Sequence, residues 1–366
     1  MRLDAGCTFW KELAAIAVEA DRAESLRRAG LSAYALGRTQ ESVDLLKEAL
    51  EQFRRSGDVR REGVTLGDLA GRQKAAGRMP EAEEMLRRAI EIHRSVGNRR
   101  SEGIDLGALA VLYEETGRLA EAERSFDQAL AILREVGDRQ YTASTLVNAA
   151  SLYRQTGRLE LSEQTYLETV AYFRETGDLR SEGVIVGSLA SLYAQLGRME
   201  LAERTCAQAL DIHRRTGHRR SEGYCLGLRA FLHNARGDIA QSLRTYEEAL
   251  PIYRDVGDRR FEGIALGHMG MLHLASGRPD LAERFLESAL VLHRVVRNRN
   301  SEGSHGCALA LCLLARGLVA EASALWRENF AILVGLGDAG EVERLRGDMR
   351  SACAKASVTA FDGNTG

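Results

Sequence analysis

The side chains able to do chemistry in this chain recur at fixed intervals. There are eight histidines, and His93, His213 and His293 share one column of a 40-residue periodicity with Phe53, Leu133, Phe173 and Tyr253. An imidazole that alternates with aromatic rings and leucine reads as a packing residue. His233 and His273 fall in the column of Tyr113, Tyr153 and Tyr193, with the same implication. His268, His273 and His305 lie near Cys307, and imidazole with thiolate is the donor set of a zinc site. Their spacing is not diagnostic, so no metal and no cofactor is expected. Six cysteines form no C-x-x-C pair, and a chain of this size has no need of disulfide staples, so reduced thiols in a cytoplasm are expected.

Charge follows the same period. Arg recurs at 54, 94, 134, 174, 214, 254 and 294, and Glu at 62, 102, 182, 222, 262 and 302. These columns admit two readings: a basic ridge for an acidic partner, or a ladder in which each Arg meets a helix C-terminus and pairs with the Glu that begins the next helix. Equal numbers of opposite sign favour the ladder. The pairs Arg99-Arg100, Arg219-Arg220 and Arg259-Arg260 are less committed and stand as partner contacts. Fifty basic against 52 acidic residues leave a net charge of −2, without the cationic surplus that a nucleic acid demands. No phosphate loop, no zinc-protease motif and no nucleophile elbow is present, so no catalysis is expected. No apolar run approaches the roughly 18 residues of a membrane span, and Met1 to Trp10 do not read as a signal peptide.

The elements that position these columns are set by glycine. Gly37, Gly77, Gly117, Gly157, Gly197, Gly237, Gly277 and Gly317 are 40 residues apart; a second comb runs 20 residues on from Gly57 to Gly337, with Arg297 as its one gap. Between them each unit reads as two helices. Leu106, Leu109, Ala110 and Tyr113 form one i, i+3, i+4, i+7 stripe, and Leu119, Ala122, Phe126, Ala129 and Leu130 form the next. Asp58, Asn98, Asp138, Asp178, Asp258 and Asp338 follow the second comb as N-caps. No sustained period-two alternation appears, so no β-sheet is expected. One hairpin cannot bury both stripes, whereas stacked hairpins share a continuous core.

The pattern Leu106-x-x-Leu109-Ala110-x-x-Tyr113-x-x-x-Gly117, followed by Ala122-x-x-x-Phe126-x-x-Ala129, resembles the tetratricopeptide repeat (TPR) signature. Forty residues rather than 34 place the resemblance with the long repeats of kinesin light chain and of bacterial signalling proteins. It implies an all-α solenoid of about eight helix-turn-helix repeats, wound into a right-handed superhelix with the first helix of each pair on the inner wall. The repeats fall near 20–56, 58–96, 98–136, 138–176, 178–216, 218–256, 258–296 and 298–336, within a solenoid over 1–336. Residues 8–36 form a lengthened or doubled opening helix, 337–356 a polar capping helix, and 357–366 a flexible tail.

Inside the first helices glycines recur one turn apart, as Gly63 with Gly67 and Gly103 with Gly107, although each costs about 1 kcal/mol against alanine. Close contact between successive inner helices explains the recurrence best; a wall kept low for a ligand is the other reading. The unit from 138 departs, with Thr142, Ala143 and Val147 in place of Glu, Gly and Gly, which predicts a local change of curvature. Pro251 predicts a kink in a second helix.

On the inner wall that the resemblance implies, Glu114, Glu115 and Arg154 lie towards the N-terminus. Tyr224, Phe231, Ile264, Met271, Leu274, Leu311 and Leu314 lie towards the C-terminus. Two fates are open to the apolar run: an exposed recognition groove, or core if the stack tightens. The asparagines that grip peptide backbones in many TPR grooves are replaced here by Val111, Ser151, Ser191, Phe231 and Met271. The reading is a non-enzymatic scaffold that binds a partner protein or an amphipathic helix in this groove, with a homodimer as one version of it. The alternative is a regulatory sensor array that binds a peptide or small ligand for a signalling or transcription protein.

Overall fold

A computed structural model describes residues 2–16, 19–337 and 339–361. The chain divides into two compact units, residues 1–176 and 177–366. The first holds α1 (Arg2–Ile16), α2 (Glu19–Ala35), α3 (Thr39–Ser56), α4 (Val59–Ala75), α5 (Met79–Ser95), α6 (Arg99–Glu115), α7 (Leu119–Glu135), α8 (Arg139–Gln155) and α9 (Leu159–Thr176). The second holds α10 (Leu179–Gln195), α11 (Met199–Thr216), α12 (Arg219–Ala235), α13 (Ile239–Asp255), α14 (Arg259–Ala275), α15 (Pro279–Val295), α16 (Arg299–Ala315), α17 (Val319–Leu336) and α18 (Ala339–Lys355). Among the described residues there is no strand, so the fold is all-α, a solenoid of helix pairs. Within each unit every helix packs on its sequence neighbour.

The glycine comb is a series of helix stops. Gly117 adopts φ +77°, a left-handed conformation that a Cβ would strain, and the next amide, of Arg118, donates back to the Tyr113 carbonyl at 2.8 Å. The gap in the comb is filled by Arg297, which is held at φ +54° without glycine's freedom. After the second comb the N-caps form as expected: the Asp58, Asp138 and Asp178 carboxylates accept from the amides of Arg61, Tyr141 and Ser181 at 3.0–3.1 Å. Asp338 lies outside the described residues.

Small residues let the pairs close. Ala82, Ala122, Ala202, Ala282 and Ala322 are all fully buried, and at two positions where serine replaces them the hydroxyl is used: Ser162 donates to the Ala150 carbonyl at 2.8 Å and Ser242 to that of Ala230 at 2.7 Å, whereas the buried Ser42 hydroxyl makes no hydrogen bond among the described residues. Leu86, Phe126, Tyr166, Tyr246, Leu286 and Trp326 fill the core between them. The helix-interior glycines have two separate roles. A Cβ on Gly103 would lie 2.9 Å from Leu133 of its own partner helix α7, so this column admits the second helix of the same pair. A Cβ on Gly67 would lie 2.6 Å from the Asp105 carboxylate of α6, so it is the second column that serves contact between successive first helices, except at Gly227, which faces Tyr253 of its own pair.

Both ends differ from the repeat. Two helices, α1 and α2, precede the first comb glycine. At the other end α18 buries Leu345, Met349 and Cys353 and turns its Arg and Glu residues outward, where Arg344 bridges Glu341 and Asp348. The segment after it does not fray as far as 361: Phe361 is buried, and Val358 and Ala360 pack on the same core as Trp326. Residues 362–366 lie outside the described ones. Helix α13 runs through Pro251 as one helix from Ile239 to Asp255, with the Glu247 carbonyl deprived of its partner amide.

Candidate functional site

The apolar candidates separate into three environments. Tyr224 and Phe231 on α12 are 36% and 45% exposed, an unusual state for large aromatic side chains. Ile264, Met271, Leu274 and Leu311 are half-buried, and Met271 and Leu274 pack against Leu286 and Leu309. Leu314 leaves the candidate wall. It is buried in the core formed by Trp326, Leu333 and Leu345, because α17 and α18 close over that face of α16.

Tyr224, Phe231 and Ile264 come together, with residues that sequence reasoning did not include. Leu228 of α12, Tyr246 and Tyr253 of α13, and Phe261 and His268 of α14 join them around a small cleft of about 160 Å³. Tyr253 stacks on Phe261 at 5.8 Å between centroids, and Tyr224 meets Phe261 edge-on at the same separation. The polar ends are tied back: the Tyr253 hydroxyl donates to the Gly223 carbonyl at 2.7 Å, and the Tyr246 hydroxyl lies 2.8 Å from His268 Nδ1. Gly227 makes the arrangement possible, since a Cβ there would lie 2.6 Å from the Tyr253 hydroxyl. Burial raises the pKa of both tyrosines and lowers that of His268, so all three stay neutral near pH 7. The walls therefore present aromatic faces, and the Tyr246 and Tyr253 hydroxyls are already bonded.

In the first unit one of the charged candidates is held in an ion pair. Glu115 pairs with Lys74 at 2.8 Å. Burial, with Glu115 as a like-charged neighbour, raises the pKa of Glu114. Arg154 is half-buried at the end of α8.

The Arg and Glu columns form the ladder. Glu102 is buried and accepts from Arg94 Nε at 2.7 Å and from Arg99 Nη1 at 2.7 Å. Glu222 joins Arg214 and Arg219 in the same way, and Glu302 joins Arg294 and Arg299. The double arginines are ladder members also: Arg100 reaches Asp138 and Arg220 reaches Asp258, at 2.7 and 3.5 Å. This removes four of them as free partner contacts.

The ladder fails at one place, and a cleft lies there. Thr142 stands where Glu is expected, and its hydroxyl donates to the Asp138 carbonyl instead. Arg134 turns to Glu168 at 2.8 Å and Arg139 to Glu175 at 2.8 Å, both carboxylates being on α9 and more than half exposed. Exposed pairs of this kind contribute about 0–1 kcal/mol. Ala143 replaces the column of Gly103, so its Cβ occupies the space that α9 would need. Tyr172 and Phe173 are half-buried, whereas their counterparts Ile132 and Leu133 on α7 are buried. The result is a cleft of about 380 Å³ among α7, α8 and α9, with Ala171 and Tyr172 on its apolar side, the buried Leu133, Ala143 and Leu146 beneath, and Arg134, Arg139, Glu168 and Glu175 at its rim. A second lobe of about 290 Å³ shares Arg134, Leu146 and Glu168. The break at Thr142, Ala143 and Val147 was its signal in the sequence.

The histidine columns are core. His93, His213 and His293 are buried, and His293 Nε2 lies 2.9 Å from His305 Nδ1. His273 is buried and stacks on Phe285. Among the described residues no three His, Cys, Asp or Glu side chains are placed to hold a metal ion. No described helix is long and apolar enough to cross a membrane.

A family model described as tetratricopeptide repeat matches residues 21–95, 104–175, 184–255 and 224–294. Comparison with curated protein sequences gives no match. Among solved structures, the apo form of the quorum sensor NprR from B. thuringiensis is similar at 17% identity, with 78% of this chain and 80% of that one covered and a TM-score of 0.63. A signal transduction ATPase with numerous domains and a tetratricopeptide repeat sensor, from Pyrococcus horikoshii, covers 95% of this chain with 54% of its own, at 15% identity and a TM-score of 0.61. A Podosopora anserina putative kinesin light chain with nearly identical TPR-like repeats covers 54% of this chain and 97% of its own, at 20% identity and a TM-score of 0.47.

Proposed function

Because this chain belongs to the tetratricopeptide repeat family, we propose that it is a non-enzymatic interaction scaffold whose partner is a protein or peptide. The contact we assign is an apolar anchor side chain of the partner, inserted beside Tyr224 and Phe231. The observation that carries this reading is the exposure of two large aromatic side chains at the mouth of a cleft whose other walls include the rings of Tyr246, Tyr253 and Phe261, with both tyrosine hydroxyls already bonded. Such a surface gains from covering by another apolar group, and the Tyr246 and Tyr253 hydroxyls, already bonded, lose nothing by it. Half-buried Ile264 lines the same cleft, and Met271 lies about two turns further along the same face of α14, so an amphipathic helix with anchors at i, i+3 or i+4 and i+7 fits the run. Glu114, Glu115 and Arg154 belong to the proposal only as polar contacts of the first unit. The proposed setting is the cytoplasm, in keeping with six unpaired, buried cysteine thiols.

The test is selection of binders from a random peptide display library on the wild-type chain and on Phe231→Glu, with helicity and melting checked for both. The expected result is a set of peptides with a shared aromatic or aliphatic anchor, lost on the folded variant. Identical peptides from both, or none from either, would remove the assignment. A second copy of the chain as occupant would show as a dimer in sedimentation that Phe231→Glu dissociates.

A sensor array is the second reading, favoured by a separate observation: the 380 Å³ cleft at Thr142, within the range of about 300–1,000 Å³ typical of small-ligand pockets.

A further inference from the structure

The ladder supplies a template for what belongs in the cleft between α7 and α9. In three repeats one buried glutamate sits between two arginines, one from the end of the preceding helix and one from the first turn of its own helix. The distances are 2.7 and 2.7 Å at Glu102, 3.2 and 2.6 Å at Glu222, and 3.1 and 2.6 Å at Glu302. Both arginines are kept in the repeat that begins at Asp138, as Arg134 and Arg139, but the carboxylate between them is gone. Threonine stands in its place and spends its hydroxyl on its own helix. The two guanidinium groups and Thr142 line one cleft, whose apolar side is Ala171 and Tyr172 over the buried Leu133, Ala143 and Leu146.

We propose that this cleft binds an apolar-bodied carboxylate, whose carboxylate takes the seat that glutamate fills in the other repeats. A planar carboxylate matches the donors that two guanidinium groups present, as it does at Glu102. The hydrocarbon or aromatic body of the ligand lies along Ala171 and Tyr172, above the buried Leu133, Ala143 and Leu146. Glu168 and Glu175 are the competing partners, and both are more than half exposed, so each moves to water at little cost when the ligand arrives. The buried glutamates elsewhere have no such freedom: Glu102 is 2% exposed in its side chain. This site is separate from the aromatic cleft of α12–α14 and does not depend on it. The ligand is a free carboxylic acid or the C-terminus of a peptide that ends in an apolar residue; the two share one chemistry.

The experiment titrates the full chain with 2-naphthoate and with acetyl-Ala-Ala-Phe bearing a free C-terminus, each beside its amide, by calorimetry and saturation-transfer NMR. Binding by naphthoate alone assigns a free acid, binding by the peptide alone assigns a C-terminus, and either supports the proposal if the matching amide binds at least tenfold more weakly. Thr142→Glu returns the ladder carboxylate to its seat and is expected to weaken the acids at least tenfold, while Phe231→Glu leaves them unchanged. If Thr142→Glu does not fold, Arg134→Gln/Arg139→Gln, at two exposed side chains, replaces it with the same expectation. Amides that bind as tightly as the acids, acids that bind the folded variants undiminished, or neither acid binding at millimolar concentration would each overturn the proposal.

Discussion

The helix pairs α6–α7 and α8–α9 are consecutive copies of one pattern, yet one is closed and the other open. In the first, Gly103 lets Ile132 and Leu133 rest on the α6 backbone, and Glu102 ties Arg94 to Arg99. In the second, Ala143 and Thr142 hold those two positions, Tyr172 and Phe173 stay half-buried, and a cleft of about 380 Å³ appears. Two adjacent substitutions thus change packing and electrostatics together. A repeat protein with each unit held mainly by its neighbours tolerates such a local opening without loss of the stack.

The comparison breaks first at Glu102. Placing the irregular residue in the regular repeat, Glu102→Thr, removes a buried carboxylate with two charged hydrogen bonds, taking from Arg94 its partner while Arg99 keeps Glu135. A loss of about 2 kcal/mol in urea unfolding is expected, discounted for the half exposure of both arginines. An unchanged midpoint would show that the ladder is a surface ornament and that Thr142 does not explain the open repeat.

Acid separates the two kinds of repeat next. His213 and His293 occupy the column that holds Phe173 in the open pair, and burial lowers the pKa of both, that of His293 to about 4. His305 and His268 face His293 and are lowered too. The unfolded chain takes up protons near pH 6.5, before the folded one, so stability is full above pH 6.5 and declines as the pH falls towards 4. Between pH 7 and pH 5, opening free energies from hydrogen exchange in α14–α16 are expected to fall by about 1–2 kcal/mol. Those of α8–α9 should stay constant, and a fall of equal size there would erase the distinction.

Exchanging the glycines gives a smaller effect. Gly103→Ala places a methyl 2.9 Å from Leu133. Overpacking of about 1–3 kcal/mol against a helix-propensity gain of about 1 kcal/mol predicts a net loss of about 1 kcal/mol. Exchange at the end of α7 should accelerate; a gain in stability would mean that Ala143 does not hold α9 away. The smallest change concerns the helix stops: Arg297→Gly restores the comb and is expected to add about 0.5–1 kcal/mol by relief of a left-handed non-glycine residue, read as a rise in the urea midpoint.

Much of the fold was legible from local signals. Comb glycines, Asp and Asn caps and i, i+3, i+4 stripes act within a few residues, so Gly117, Asp58 and the stripe from Leu106 to Tyr113 could be placed from spacing alone. The candidate sites were legible in fragments. Tyr224, Phe231 and Ile264 were legible as wall residues, but Tyr246 and Tyr253, which reach the cleft from α13, and Phe261, one turn before Ile264, were not. Leu314 was assigned to a groove because its column matched. Its burial depends on α17, α18 and Phe361, which close from further along the chain.

The sequence by itself determined the all-α repeat, its period and the point where it breaks, because each depends on backbone geometry and on side chains at short, fixed separations. Only the tertiary structure decided what the break does and which apolar columns stay open. Burial at any position depends on the helix packed against it, and a missing Cβ or carboxylate acts on residues some 30 positions away, as Gly103 does on Leu133.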